Sequence, residues 1–219
     1  MNDKKRFCPY LEECPPDILK KMPTIKSIVS EVQEERYEKN HKLKDFPRQF
    51  VKLNIPKNDY IFIPQMSSGK RKYVPIGFIP KKVWTADPHF MIGITDLYYF
   101  GILSSNVHNA WICTIAGRLK SDYRYSNRVV YNTFVWPDAS EEQKEEIRKT
   151  AKLILEARSL YPDARLSDLY DESLMPSNLR TAHQENDKVV MAVYGFDWRK
   201  MSESECVVEL MKLYQELIY

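Results

Sequence analysis

Hydrophobic positions change their period along this chain, and each change marks a boundary. From 17 to 43, Ile18, Met22, Ile25, Ile28, Val29 and Val32 recur at helical spacings among Lys, Glu and Gln. Pro23 lies within that stretch and lacks the amide that a helix interior needs, so a short helix followed by a longer one is predicted. Residues 1–15 read as a loop ending in Pro15-Pro16. From about 46 to 95, recurrent prolines separate β-branched and aromatic residues. Tyr60–Ile63 and Tyr73–Phe78 are expected strands around a polar, basic turn at 67–72, and 83–94 holds a further strand region. The prolines confine these strands to edges and bends, which predicts an irregular, strongly twisted sheet.

The helical period returns after Asp96, a good cap, and is predicted to run to about Arg118. Leu97, Phe100, Leu103, Val107, Trp111 and Ile115 form its stripe. Gly101 and Ser104-Ser105 are expected to be tolerated inside it, and Gly117 to sit near its end. Val129–Trp136 reads as a strand stopped by Pro137. Ser140 and Gln143 form a capping box for the next helix, whose apolar face is Ile147, Ala151, Ile154 and Leu155. Two more helices are expected, one from about Pro176-Ser177 to Gly195 and one over 203–218. The class that follows is α+β: a twisted, mostly antiparallel sheet with helices, then a C-terminal helical bundle. The predicted divisions are a helical spacer at 1–43, an α+β domain at 44–137 and a helical region at 138–219.

Composition narrows the possibilities. Hydrophobic residues make up 43% and charged residues 29%, a globular balance. No apolar run approaches the roughly 18 residues of a membrane span, and the polar start leads into no secretory h-region. Cys8, Cys14, Cys113 and Cys206 are scattered without zinc-pair spacing, so reduced thiols in the cytoplasm are expected. The net charge of +3 is unevenly spread. Residues 44–128 hold thirteen Lys/Arg against five Asp and no Glu, a net +8, which leaves −5 for the remainder. Such a centre suits an anionic partner, and nucleic acid is the commonest polyanion that rewards it through counterion release. An ordinary solvated basic face is the plain alternative.

No catalytic chemistry is visible. The six glycines form neither a dinucleotide fingerprint nor a phosphate loop. There is no Asn-Pro-Pro-aromatic tetrapeptide of the amino-methyltransferases and no Asp…Glu-x-Lys nuclease cluster. His41, His89, His108 and His183 lack i, i+4 partners for a metal. His108 and Cys113 are five residues apart and off one helical face. No catalytic or metal-binding residue is therefore assigned, and His108, Trp111, Tyr131 and Trp136 are expected in the core.

Several ordered stretches carry a resemblance: Ile63–Ser68, Tyr73–Phe78, Tyr98–Ser105, His108–Trp111, Gly117–Ser126 and Tyr131–Pro137, then Leu169-Tyr170, Met175-Pro176 and Leu179–His183. Together they resemble the target-recognition and C-terminal regions of MmeI-like type IIG restriction–modification enzymes and related adenine-N6 DNA methyltransferases, over roughly 45–195. The resemblance implies sequence-specific recognition of double-stranded DNA that directs adenine methylation, with or without cleavage. Its catalytic domains would lie outside this chain, in cis or as a separate subunit. S-adenosylmethionine would belong to that catalytic part, and Mg to any nuclease domain, with no cofactor in this chain. The chain is then either a piece of a longer protein or a separately encoded specificity subunit.

The basic residues fit that reading in two sets. Ser68, Gly69, Lys70, Arg71 and Lys72 are the candidates for reading bases, Gly69 permitting close backbone approach and Arg71 able to pair bidentately with guanine. Relatives often have an acidic residue followed by arginine there, so base preference does not carry over. Arg118, Lys120, Tyr123, Arg124 and Arg128 are the candidates for phosphate contact, although Arg118 or Arg124 could instead pair with Asp122. A protein-interaction module whose basic face binds an acidic partner is the alternative function.

Overall fold

The computed structural model of the chain describes residues 7–51, 55–85 and 88–218. The first six residues of the expected opening loop and residues 86–87 of the expected 83–94 strand region lie outside them. Two compact units are present, over 3–55 and 56–219.

In the first unit, Pro16 and Pro23 each open a helix, α1 (Pro16–Lys20) and α2 (Pro23–Glu38). Proline is suited to a first turn, where its missing N–H would be unpaired in any case. α2 ends at Glu38, short of the expected residue 43, as Asn40 turns to φ 44° and the His41 N–H bonds back to the Arg36 carbonyl. The Arg36 guanidinium then gathers the following loop, donating to the carbonyls of Leu43 (3.2 Å), Phe46 (2.7 Å) and Gln49 (2.8 Å).

The second unit is α+β. Its first sheet has the order β3 (Gly77–Ile79), β1 (Tyr60–Pro64), β4 (His89–Ile92), all antiparallel to the central β1. One residue after β1 the chain changes sheets. Strand β2 (Met66–Ser67) pairs with β6 (Asp122–Arg124), and β6 pairs with β5 (Gly117–Leu119). Only the end of the expected 73–78 strand forms. Tyr73–Ile76 is buried but unpaired, because Pro75 offers no N–H, the Ile76 N–H turns back to the Val74 carbonyl, and the Tyr73 hydroxyl is engaged elsewhere. The 67–72 turn is therefore no hairpin tip between neighbouring strands.

The predicted 96–118 helix is two helices, α3 (Leu97–Leu103) and α4 (Asn106–Ile115). Asp96 caps the first, accepting from the Tyr98 N–H. Ser105 is extended and caps the second through the His108 N–H, so the serine pair breaks the helix instead of being carried inside it. Carbonyls freed at the break are taken by imidazoles: Leu103 by His108 Nδ1 (2.9 Å) and Ser104 by His183 Nδ1 (3.2 Å). Gly117 opens β5 instead of closing the helix. The expected 129–136 strand is a π-helical turn (Asn127–Tyr131) followed by irregular chain, since Ser126 caps the turn through the Val129 N–H.

The C-terminal helices form as patterned. Ser140 and Gln143 complete their capping box at the start of α5 (Glu141–Ser159). A short α6 (Leu166–Leu169), α7 (Ser177–Val193) and α8 (Glu203–Ile218) follow. α3 lies against α5 at Gly101, where a Cβ would meet Ile147 Cγ2 at 2.6 Å. Glycine there permits close helix packing, whatever its cost in propensity. Arg148 of α5 grips the Asp96 carboxylate with two bonds of 2.8 Å. One core runs from Ile61 and Ile63 through Phe100 and Trp111 to Ile147, Leu179 and Leu210, so the sheets and the C-terminal helices are packed as one body. Among the described residues no helix is long and apolar enough to cross a membrane.

Candidate nucleic-acid interface

Strands β5 and β6 form a hairpin whose register pairs Gly117 with Arg124, Arg118 with Tyr123 and Leu119 with Asp122. Lys120 and Ser121 are left as a two-residue tip, and Lys120 takes the left-handed conformation at φ 57°. The third strand, β2, pairs Met66 with Arg124 and Ser67 with Tyr123, then runs directly into residues 68–72. The 68–72 turn consequently lies beside the hairpin tip. A Cβ built on Gly69 would be 2.3 Å from the Ser121 carbonyl oxygen, closer than any side chain could be accommodated. The two basic sets, distant in sequence, make one continuous surface.

Within the turn, the Ser68 hydroxyl accepts the Lys70 N–H (3.3 Å), and the Arg71 N–H donates to the Ser68 carbonyl (3.1 Å). Lys70 and Lys72 are exposed, Lys72 with its ammonium 5.9 Å from the Tyr73 ring centre. Arg71 is different. Its guanidinium is half-buried and reaches the Ser167 carbonyl of the C-terminal helices (3.4 Å). Its Nε is buried without a hydrogen-bond partner. The residue expected to reach a base edge is thus turned toward the protein.

On the hairpin, Arg118 stacks over the Tyr123 ring at 4.6 Å and donates to its hydroxyl oxygen at 3.2 Å. The aromatic ring, not Asp122, holds this guanidinium; among the described residues neither Arg118 nor Arg124 is within salt-bridge distance of Asp122. Lys120 and Arg124 are exposed. Arg128 is exposed on the π-helical turn beyond β6.

Beneath this surface is a polar network that nothing in the sequence pattern signals. The buried Tyr73 hydroxyl donates to Asp187 Oδ2 of α7 at 2.6 Å, and Asp187 Oδ1 accepts the Asn106 N–H that opens α4, at 2.8 Å. The Tyr73 ring stacks on His183 at 4.1 Å. Arg158 Nε donates to the Tyr170 hydroxyl (2.8 Å), which donates in turn to His183 Nε2 (2.6 Å). Burial pushes the Asp187 carboxyl up to about 6, against stabilisation of its charge by Tyr73 and Asn106. Burial also drives His183 well below its usual value and His108 down to about 4. His108 donates to Leu103 and accepts from the Tyr125 hydroxyl at 3.2 Å, so both imidazoles are neutral framework groups. Only the chain reversal brings Tyr73 and Asp187 together; they are 114 residues apart.

Two other features bear on chemistry. A cleft of about 410 Å³ lies between Ile63 and β4 on one side and Tyr125 and Tyr131 on the other, lined by no charged residue. Among the described residues no three His, Cys, Asp or Glu side chains gather as a metal site.

Residues 1–138 match the family "MmeI, target recognition domain" and residues 139–219 match "MmeI, C-terminal domain". DNA methyltransferase A of Bacillus subtilis (strain 168) is 33% identical over 222 residues, spanning 99% of this chain and 25% of its own length. The solved structure of the type IIL restriction–modification enzyme MmeI in complex with DNA is similar at a TM-score of 0.89 and 37% identity, across 96% of this chain and 29% of that one. The chain thus spans between a quarter and a third of the length of these two relatives.

Proposed function

Since the chain belongs to the MmeI family, as its target recognition and C-terminal domains, we propose that it reads sequence in double-stranded DNA and so directs adenine-N6 methylation by a catalytic part lying outside these residues. The observation that carries this reading is the contact of Gly69 with Ser121, which joins two basic elements into one surface. Lysines and arginines on that surface neutralise phosphate, while a protruding tip reaches base edges. Lys120 at the two-residue tip and Lys70 on the adjoining turn are the base-contacting pair, since a lysine can donate to guanine O6 and N7. Arg118, Arg124 and Arg128 grip the backbone, Arg118 from its platform on Tyr123. Arg71 and Lys72 support the turn.

S-adenosylmethionine belongs to the catalytic part, in cis or as a separate subunit, together with Mg if that part includes a nuclease. The cytoplasm is the compartment where such a protein meets DNA. A mobility-shift titration at several salt concentrations tests the reading. Sequence-independent affinity of order 10⁻⁴–10⁻⁶ M, falling steeply with salt, is expected of this chain alone. Affinity for DNA that does not respond to salt, or none at low salt, rejects it in favour of a basic face for an acidic protein.

A further inference from the structure

The 68–72 turn is fastened to the C-terminal domain as well as to its own sheet. Two residues at its end make the connection: Arg71 to the Ser167 carbonyl and Tyr73 to Asp187. The second bond is short, buried and charge-assisted, the kind that tolerates little displacement. Asp187 does more than hold Tyr73. Its other oxygen caps the first amide of α4, and α4 runs from Asn106 to Ile115, two residues before β5 begins the hairpin. One carboxylate therefore fixes both halves of the interface. It holds the turn through Tyr73 and the root of the hairpin through α4, while Gly69 and Ser121 close the circuit at the surface.

We infer that Tyr73 and Asp187 are positioning residues for sequence choice, through which the C-terminal domain sets where the 68–72 turn and the 119–121 tip stand against the base pairs. The inference rests on the DNA-reading function proposed above. Base readout needs its donors held within about 0.5 Å, so a device that fixes two loops to one anchor bears on discrimination more than on overall grip. Phosphate contacts from Arg124 and Arg128 are long-ranged by comparison and survive small shifts of the turn.

The test uses the natural protein with its catalytic part, comparing methylation rates at the preferred site and at sites altered by one base pair. Tyr73→Phe deletes the bond to Asp187 and keeps the ring. Asp187→Asn keeps an acceptor for Asn106 and offers Tyr73 a donor. Leu210→Ala removes a buried side chain of α8, leaves the Tyr73–Asp187 bond in place and serves as a destabilised control. At temperatures well below unfolding, Tyr73→Phe should lower the preference for the correct site roughly tenfold, the size of one lost base discrimination. Asp187→Asn should retain most of the preference, and Leu210→Ala should retain all of it. A preference within twofold of the parent for Tyr73→Phe overturns the inference, as does an equal loss in Leu210→Ala. If the unaltered protein methylates without any site preference, the DNA-reading function itself fails and the positioning role with it.

Discussion

Gly69 and Ser121 are in contact through backbone alone: no side chain can be added to the first without colliding with the carbonyl of the second, 2.3 Å from the ideal Cβ position. This contact turns two loops into one surface. It also explains why the turn carries Ser68 and Lys70 on either side of position 69 but no side chain at it.

A first prediction follows for Gly69→Ala. The obstructing atom is a carbonyl oxygen in a paired hairpin, so relief requires the turn and the tip to separate. A cost of about 1–3 kcal/mol is expected, as for overpacking elsewhere. Gly93→Ala is the comparison, because nothing lies within 4 Å of a Cβ there. Chemical denaturation of both variants checks this. Equal midpoints for the two would mean that the Gly69 contact yields without cost.

The second prediction concerns pH. The Asp187 carboxyl stands at about 6 in the fold against an ordinary 3.8. A raised acid contributes stability that is fully present below the unfolded value and lost as pH rises through the folded one. Between pH 4 and 6 that loss is on the order of 3 kcal/mol. His108 acts oppositely: lowered from 6.5 to about 4, it contributes stability present above 6.5 and lost as pH falls through 4. The two trends mask one another in the parent protein. Asp187→Asn removes the first, so its melting temperature relative to the parent should climb between pH 4 and pH 7. A difference that stays flat across that range would show that Asp187 ionises normally.

Much of this fold can be read from local pattern, and the exceptions have two causes. The α5 helix carries its own start signal in Ser140 and Gln143, and its stripe of Ile147, Ala151 and Ile154 is buried as the period requires. Tyr73–Ile76 has strand-like composition but is recruited by α7, and Val129–Trp136 is turned by the cap at Ser126. Tertiary partners and side-chain caps overrode propensity at both places. The site divides similarly. Lys70, Lys120, Arg118 and Arg124 stand out as basic residues in sequence. That Arg71 faces Ser167, 96 residues on, depends on packing that no local window contains.

A third prediction separates grip from stacking. Arg118 holds its guanidinium on the Tyr123 ring, so Tyr123→Leu should loosen Arg118 and weaken binding to all DNA sequences alike. Arg124→Ala, which removes an exposed charge outright, should reduce the salt slope of binding by about one unit. Binding isotherms across a salt series measure both. An unchanged slope for Arg124→Ala would remove it from the phosphate-contacting set.

The last prediction distinguishes the residue that reads from the residue that holds. Arginine is the more usual partner of guanine, and composition alone favours Arg71 for that task. The structure places its guanidinium half-buried against Ser167, whereas Lys120 is exposed at a two-residue tip. Lys120→Ala should therefore alter which base is accepted at one position of the methylated site, at a cost of about 1–3 kcal/mol there and little elsewhere. Arg71→Ala should lower stability and blunt discrimination across the positions read by the turn and tip, without substituting a new preferred base. Mapping methylated adenines across a genome that expresses each variant reads both effects at once. A clean change of base with Arg71→Ala, alongside an unchanged site with Lys120→Ala, would reverse the assignment: the guanidinium would have to leave Ser167 when DNA binds, and the hairpin tip would be left with a phosphate.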